Sequence, residues 1–158
     1  MVAMNYFIAV LNPEVTQVCP FCTERETVFH AFLNCLRLCP LFCFLHSLFK
    51  AFDELFVKQM FILGFKYSKM NNSKGELIHF ILGNAKMAVY ISRKNKIEQD
   101  SDNDVLTVLF RLLRSRVQME FKFYNSLSNL ADFESVWCYK GAVCSVTNGE
   151  LVFAPYLL

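Results

Sequence analysis

The chain has 158 residues, the length of one ordinary domain, and 54% of them are hydrophobic. Its formal net charge of +2 excludes a chain that binds polyanions over its whole surface, so any nucleic-acid contact must come from local basic patches. The mean hydropathy of +0.31 and the 17 phenylalanines indicate either a fold that buries an unusual share of aromatic residues or a piece of a larger chain with an apolar face for a neighbouring domain. We favour the second interpretation.

Residues 1–18 are predicted to be an N-terminal remnant, with Asn12-Pro13 as a turn after an uncharged apolar run. The run lacks the basic start and the cleavage site of a signal peptide. No later apolar run approaches the ~20 residues that span a bilayer. Cys19-x2-Cys22 beside a suitably spaced His30 indicates thiols that are kept reduced for metal, so we expect an intracellular protein, nuclear or cytoplasmic, without a membrane partner.

Cys19, Cys22, His30 and Cys35 are four soft metal ligands within a short stretch. Three thiolates and one imidazole complete the tetrahedral coordination of a structural zinc ion and leave no position for a substrate water. The spacing predicts one structural Zn²⁺ in a zinc-binding finger and helix over residues 19–49. The alternative is that the cysteines are small core residues and His30 is a hydrogen-bonded core histidine.

A helix is predicted from about Glu26 to Leu38, because apolar residues recur there at helical spacing. In a regular α-helix, His30 and Cys35 would point about 140° apart, so both cannot face one ion. The helix must therefore loosen near Cys35.

Pro40 ends or restarts this helix. Apolar residues then continue at helical spacing as a predicted core or interface, and residues 50–72 are a predicted connecting segment. Met60 to Phe65 is a short apolar run with the length of a strand. The apolar positions with helical spacing are Leu41, Phe42, Leu45, Leu48, Phe49, Phe52, Leu55 and Phe56.

Residues 73–131 are predicted to form an antiparallel pair of helices, over about 74–96 and 104–130. Ser73 and Glu76 have the spacing of a capping box at the start of the first helix. Cations near the end of that helix and anions before the next also complement the helix dipoles, which needs no ligand. The candidate phosphate-binding residues are Lys86, Arg93, Lys94, Lys96, Arg111, Arg114 and Arg116.

Residues 132–158 are predicted to form a β-hairpin, because Asn148-Gly149 favours a two-residue turn between short apolar strands. Such a hairpin must pack on other elements to be stable. The predicted fold is thus mainly α, with a small zinc finger, an antiparallel helix pair and a short C-terminal β-hairpin in one compact unit.

The finger contains several short motifs in order: Cys19-Pro20-Phe21-Cys22, Glu26-Thr27, His30-Ala31-Phe32, Cys35, Arg37-Leu38 and Pro40-Leu41-Phe42. Together they resemble the zinc-binding region of LINE-type non-LTR retrotransposon reverse transcriptases. The chain as a whole resembles a detached tail of such a protein. The segments Gly83-Asn84-Ala85-Lys86, Ser92-Arg93-Lys94-Asn95 and Trp137-Cys138 to Phe153 are more weakly similar to the C-terminal tails of such proteins. The resemblance implies a role in holding template RNA or target DNA during reverse transcription.

The chain has no Tyr-x-Asp-Asp motif and no paired carboxylates for a polymerase. We therefore expect no enzyme and no small-molecule substrate. Two functions remain open: an accessory module that binds RNA or single-stranded DNA, and a zinc-stabilised module that packs on a larger polypeptide. A transposon-derived remnant with no selected function is a third interpretation.

Overall fold

A computed structural model describes residues 10–14, 16–64, 72–101 and 103–158. In these segments the finger is followed by five longer helices and a hairpin. The long elements are α1 (Cys39–Ala51), α2 (Lys58–Leu63), α3 (Asn72–Gln99), α4 (Val105–Ser126), α5 (Leu130–Trp137), β1 (Cys144–Thr147) and β2 (Glu150–Phe153). Short helical turns cover His30–Asn34, Leu36–Leu38, Tyr139–Gly141 and Pro155–Leu157.

The helix pair α3 and α4 forms the centre of the fold, as predicted. Asp104 caps α4, and its carboxylate accepts a hydrogen bond from the backbone N–H of Thr107 at 3.2 Å. Ser73 lies inside α3, so it is not the N-cap that the capping-box pattern predicted. The apolar positions of α3 are buried as expected: Leu77, Ile78, Ile81, Leu82, Ala85, Ala88 and Val89.

Helix α1 packs its apolar face into the core that α3 and α4 share. Pro40 lies in its first turn, where the missing N–H costs no hydrogen bond. The helix ends at Ala51, and Asp53 adopts a left-handed backbone with φ 58°. Helical spacing therefore stops before Leu55, which is 68% exposed and so does not belong to the core of this predicted core or interface.

The prediction of a strand at Met60–Phe65 was also wrong, because Lys58–Leu63 forms α2 and buries Phe61 completely. Phe65 lies outside the described residues. A short apolar run fits a buried strand and a buried helical turn equally well.

A short helix, α5, precedes the hairpin and was not predicted. It contacts both α3 and α4 and buries Phe133 and Trp137, so Trp137 is helical and lies before the hairpin. Helix α4 accordingly ends at Ser126, short of the predicted boundary at residue 130.

The predicted C-terminal hairpin is confirmed. Strands β1 and β2 pair in antiparallel register with Thr147 opposite Glu150. Asn148 and Gly149 have φ angles of 53° and 78°, the positive values that a two-residue turn of this kind requires. The hairpin contacts α4 and α5 and so does not stand alone.

Residues 1–18, which were predicted to be an N-terminal remnant, lie largely outside the described residues. The predicted domain boundaries stay a prediction. Within the described ranges, every helix is too short or too polar to cross a lipid bilayer.

Candidate metal centre

The knuckle at Cys19–Cys22 is held by backbone hydrogen bonds on both sides. Val18 and Arg25 form an isolated antiparallel bridge, and the Cys19 N–H donates to the carbonyl of Glu24 at 2.8 Å. The Phe21 N–H donates to the Cys19 sulfur at 3.4 Å. Such N–H to sulfur contacts orient a cysteine ligand, so the knuckle is arranged for metal binding by its own backbone.

The third and fourth ligands are brought together by a π-helical turn over His30–Asn34. In this turn the Cys35 N–H donates to the His30 carbonyl at 2.9 Å, so the two residues lie one turn apart. Cys35 itself has an extended backbone with ψ 129° and interrupts the helical run. The prediction that the helix loosens near Cys35 is confirmed, and the looser turn removes the angular conflict of a regular α-helix.

The four ligand atoms lie within 4.8 Å of one another. The sulfurs of Cys19 and Cys35 are 3.9 Å apart, and the Cys22 sulfur is 3.2 Å from Nε2 of His30. A tetrahedron with Zn–S bonds near 2.3 Å and Zn–N bonds near 2.0 Å has edges of about 3.8 Å between sulfurs and about 3.5 Å between sulfur and nitrogen. The residues therefore fit a tetrahedral ion and can hold a metal.

The site is enclosed on one side, because Cys19 and Cys35 are 5% and 3% exposed while Cys22 is only partly buried. Burial raises the pKa of Cys19 to about 12; the Phe21 N–H lowers this pKa, and Cys35 and Cys22 raise it. The Cys19 thiol therefore resists ionisation, and a cation would stabilise its thiolate.

A buried ion pair fixes the finger to helix α3. Glu26 and Arg93 are 1% and 7% exposed, and Arg93 Nε and Nη2 donate to the two carboxylate oxygens of Glu26 at 2.7 Å each. A bidentate pair of this kind is strong and directional. The proposed phosphate contact of Arg93 is thus not supported, because its guanidinium lies inside the fold beside a carboxylate.

Arg37 is a second, partly buried link between the finger and α3. Its guanidinium stacks on the Phe21 ring with 3.8 Å from Cζ to the ring centroid. Nη1 donates to Ser92 Oγ at 3.0 Å, and Nη2 donates to the Val89 carbonyl at 3.3 Å. Burial lowers the pKa of Arg37, whereas the sulfurs of Cys35 and Cys19 raise it. Sequence reasoning assigned no function to Glu26 or Arg37, although both stand in the motif that carries the resemblance.

The other candidate phosphate-binding residues are spread over several surfaces. Arg111 is exposed, and none of the described carboxylates pairs with it; together with Arg114 it lines a cleft of about 310 Å³. The other candidates contact groups of the protein itself: Lys86 with the Ile62 carbonyl, Lys94 with Glu98, Lys96 with Asp100, Arg114 with the Leu158 carbonyl and Arg116 with Glu120.

Fold and site together define a small, mainly helical protein with a Cys3His cluster that can hold a metal ion. Over 130 residues, 82% of this chain, the sequence is 36% identical to the uncharacterized 149 kDa protein of transposon TX1 from Xenopus laevis. The chain spans about 10% of the length of that relative. It is thus related to a transposon protein. No family model matches the chain, and no solved structure matches it.

Removing the metal should unfold the finger. We expect the zinc-loaded protein to lose thermal stability when a chelator is added, because the free energy of metal binding contributes to the folding of this segment. Cys22→Ser should match the chelated wild type with or without chelator. Cys43→Ser changes an exposed cysteine and serves as the control. A melting temperature that is the same with and without chelator would contradict the site.

Breaking the ion pair should destabilise the protein. Glu26→Gln leaves the Arg93 charge buried without its counter-ion and should lower the free energy of unfolding by about 3–5 kcal/mol. The same exchange at Glu98, which forms a long, exposed pair with Lys94, should change it by less than about 1 kcal/mol. Urea unfolding of both variants in saturating zinc makes the comparison. Equal effects would mean that the buried pair has no special role.

Proposed function

We propose that this chain is a structural-zinc module of a retrotransposon reverse transcriptase tail, and that it binds RNA or single-stranded DNA as an accessory region. The observation that carries this proposal is the Cys3His cluster in a chain related to a transposon protein. Zinc is the natural occupant, since three thiolates and an imidazole in a tetrahedron are typical of it. Because the four protein ligands fill the coordination sphere, the ion has a structural role.

Two features support a nucleic-acid contact on α4. Arg111 is solvent-exposed, and the cleft that it lines with Arg114 also contains the aromatic rings of Phe110 and Tyr156. Cations beside aromatic rings suit a flexible single strand, which offers phosphates and unstacked bases. Several other cations have carboxylate neighbours, so binding should be weak and salt-dependent.

We also propose that the chain has no polymerase activity of its own. Its sequence contains no Tyr-x-Asp-Asp motif, and the zinc ligands leave no open coordination position. A polymerase site, if the chain works inside a longer protein, would belong to another part of that protein.

A second candidate function is packing against a larger polypeptide. Met119 and Phe123 are exposed one turn apart on α4, and exposed Leu127 follows them. Phe29 and Leu36 are exposed on the finger. Apolar side chains on two surfaces suit a region of a longer chain, and such a surface is also compatible with a remnant that has no selected function.

Fluorescence anisotropy of labelled RNA and single-stranded DNA tests the first function. The zinc-loaded protein should bind both at low salt, with an affinity that falls as salt rises. Arg111→Gln should weaken binding and reduce the salt slope by about 0.7, the value for one phosphate contact on a single strand.

Lys50→Gln is the control, because it removes one exposed positive charge from α1. It should leave the salt slope unchanged. If the zinc-loaded protein binds neither nucleic acid at low salt, the proposal fails and the packing function is favoured. A loss that is equal in both variants would contradict the assignment of Arg111.

A further inference from the structure

The buried contact between the finger and α3 contains an imbalance of charge. Arg93 is neutralised by Glu26, with which it makes two hydrogen bonds of 2.7 Å. Arg37 joins the same region, stacked on Phe21 and bonded to Ser92 and the Val89 carbonyl. Among the described residues, two guanidinium groups thus share the one carboxylate of Glu26, and the hydrogen bonds of Arg37 to Ser92 and Val89 go to neutral groups instead.

The hydrogen-bond partners of Arg37 among the described residues are neutral. Ser92 Oγ and the Val89 carbonyl accept hydrogen bonds but carry no charge. The Arg37 Nε is buried and has no hydrogen-bond acceptor among the described residues. A partly buried cation whose hydrogen-bond partners are neutral is costly unless an anion lies nearby.

The metal site supplies such an anion when it is loaded. One divalent zinc ion bound by three thiolates and a neutral imidazole has one net negative charge. Cys35 is two residues from Arg37, and Phe21, on which Arg37 stacks, lies between the ligands Cys19 and Cys22. The net negative charge of the zinc-loaded site and the positive charge of Arg37 therefore lie in the same region.

We propose that Arg37 is the counter-charge of the metal-loaded Cys3His site, as a positioning residue that favours the anionic, zinc-bound state. The inference rests on the proposed zinc site but not on nucleic-acid binding. It assigns Arg37 an electrostatic role in addition to its packing on Phe21.

Competition with a chromophoric chelator measures the zinc affinity of the wild type and of Arg37→Gln. We expect Arg37→Gln to weaken zinc binding by about 10–100-fold, the usual effect of removing an outer-shell partner. Arg37→Lys keeps the charge and should lose less than about tenfold. Lys50→Gln removes an exposed charge from α1 and should match the wild type. Circular dichroism in saturating zinc verifies that each variant is folded.

A change in the charge of the metal site distinguishes an electrostatic role of Arg37 from a merely structural one. Cys22→His makes the zinc complex neutral, so Arg37→Gln should then weaken binding by only a few-fold or less. An equal loss in both backgrounds overturns the proposal, as does a wild-type affinity in Arg37→Gln. If Cys22→His binds no zinc, the lysine variant decides, and a loss in Arg37→Lys as large as in Arg37→Gln overturns it. A wild type that binds no zinc instead refutes the zinc site itself.

Discussion

The π-helical turn at His30–Asn34 is the constraint on which the rest of the finger depends. A regular helix would separate His30 and Cys35 by about 140°. The i to i+5 hydrogen bond from the Cys35 N–H to the His30 carbonyl aligns them, and the knuckle then supplies the other two ligands. The π-helical turn departs from regular α-helical backbone geometry. Metal binding is a physical reason for the chain to retain such a turn.

Two arginines, the buried Arg93 and the partly buried Arg37, connect this local arrangement to the helical core. Arg93 pairs with Glu26, and Arg37 bonds to Ser92 while it stacks on Phe21. Both links end on α3, the helix that packs along α4. These polar contacts of defined geometry add to apolar packing of the finger, because Cys19 and Cys35 belong to the core cluster and Phe32 packs against it.

Features that depend on neighbouring residues were predictable from the sequence. The four ligands, the turn at Asn148-Gly149 and the long helix pair all follow from local spacing or turn chemistry, and the structure bears out the elements that they predict. The links through Arg93 and Arg37 join residues that are 67 and 55 positions apart, and no local pattern pairs them. The misassigned strand at Met60–Phe65 and the missed helix α5 are short apolar segments, where tertiary packing decides the conformation.

X-ray absorption spectroscopy at the zinc edge of the purified protein tests the central claim, which is that this cluster holds one zinc ion with four protein ligands. The account predicts a first shell of three sulfur atoms at about 2.3 Å and one nitrogen at about 2.0 Å. A shell with fewer than three sulfurs, or one that includes a water oxygen, would contradict a closed structural site. Absence of zinc from the protein would contradict the account as a whole.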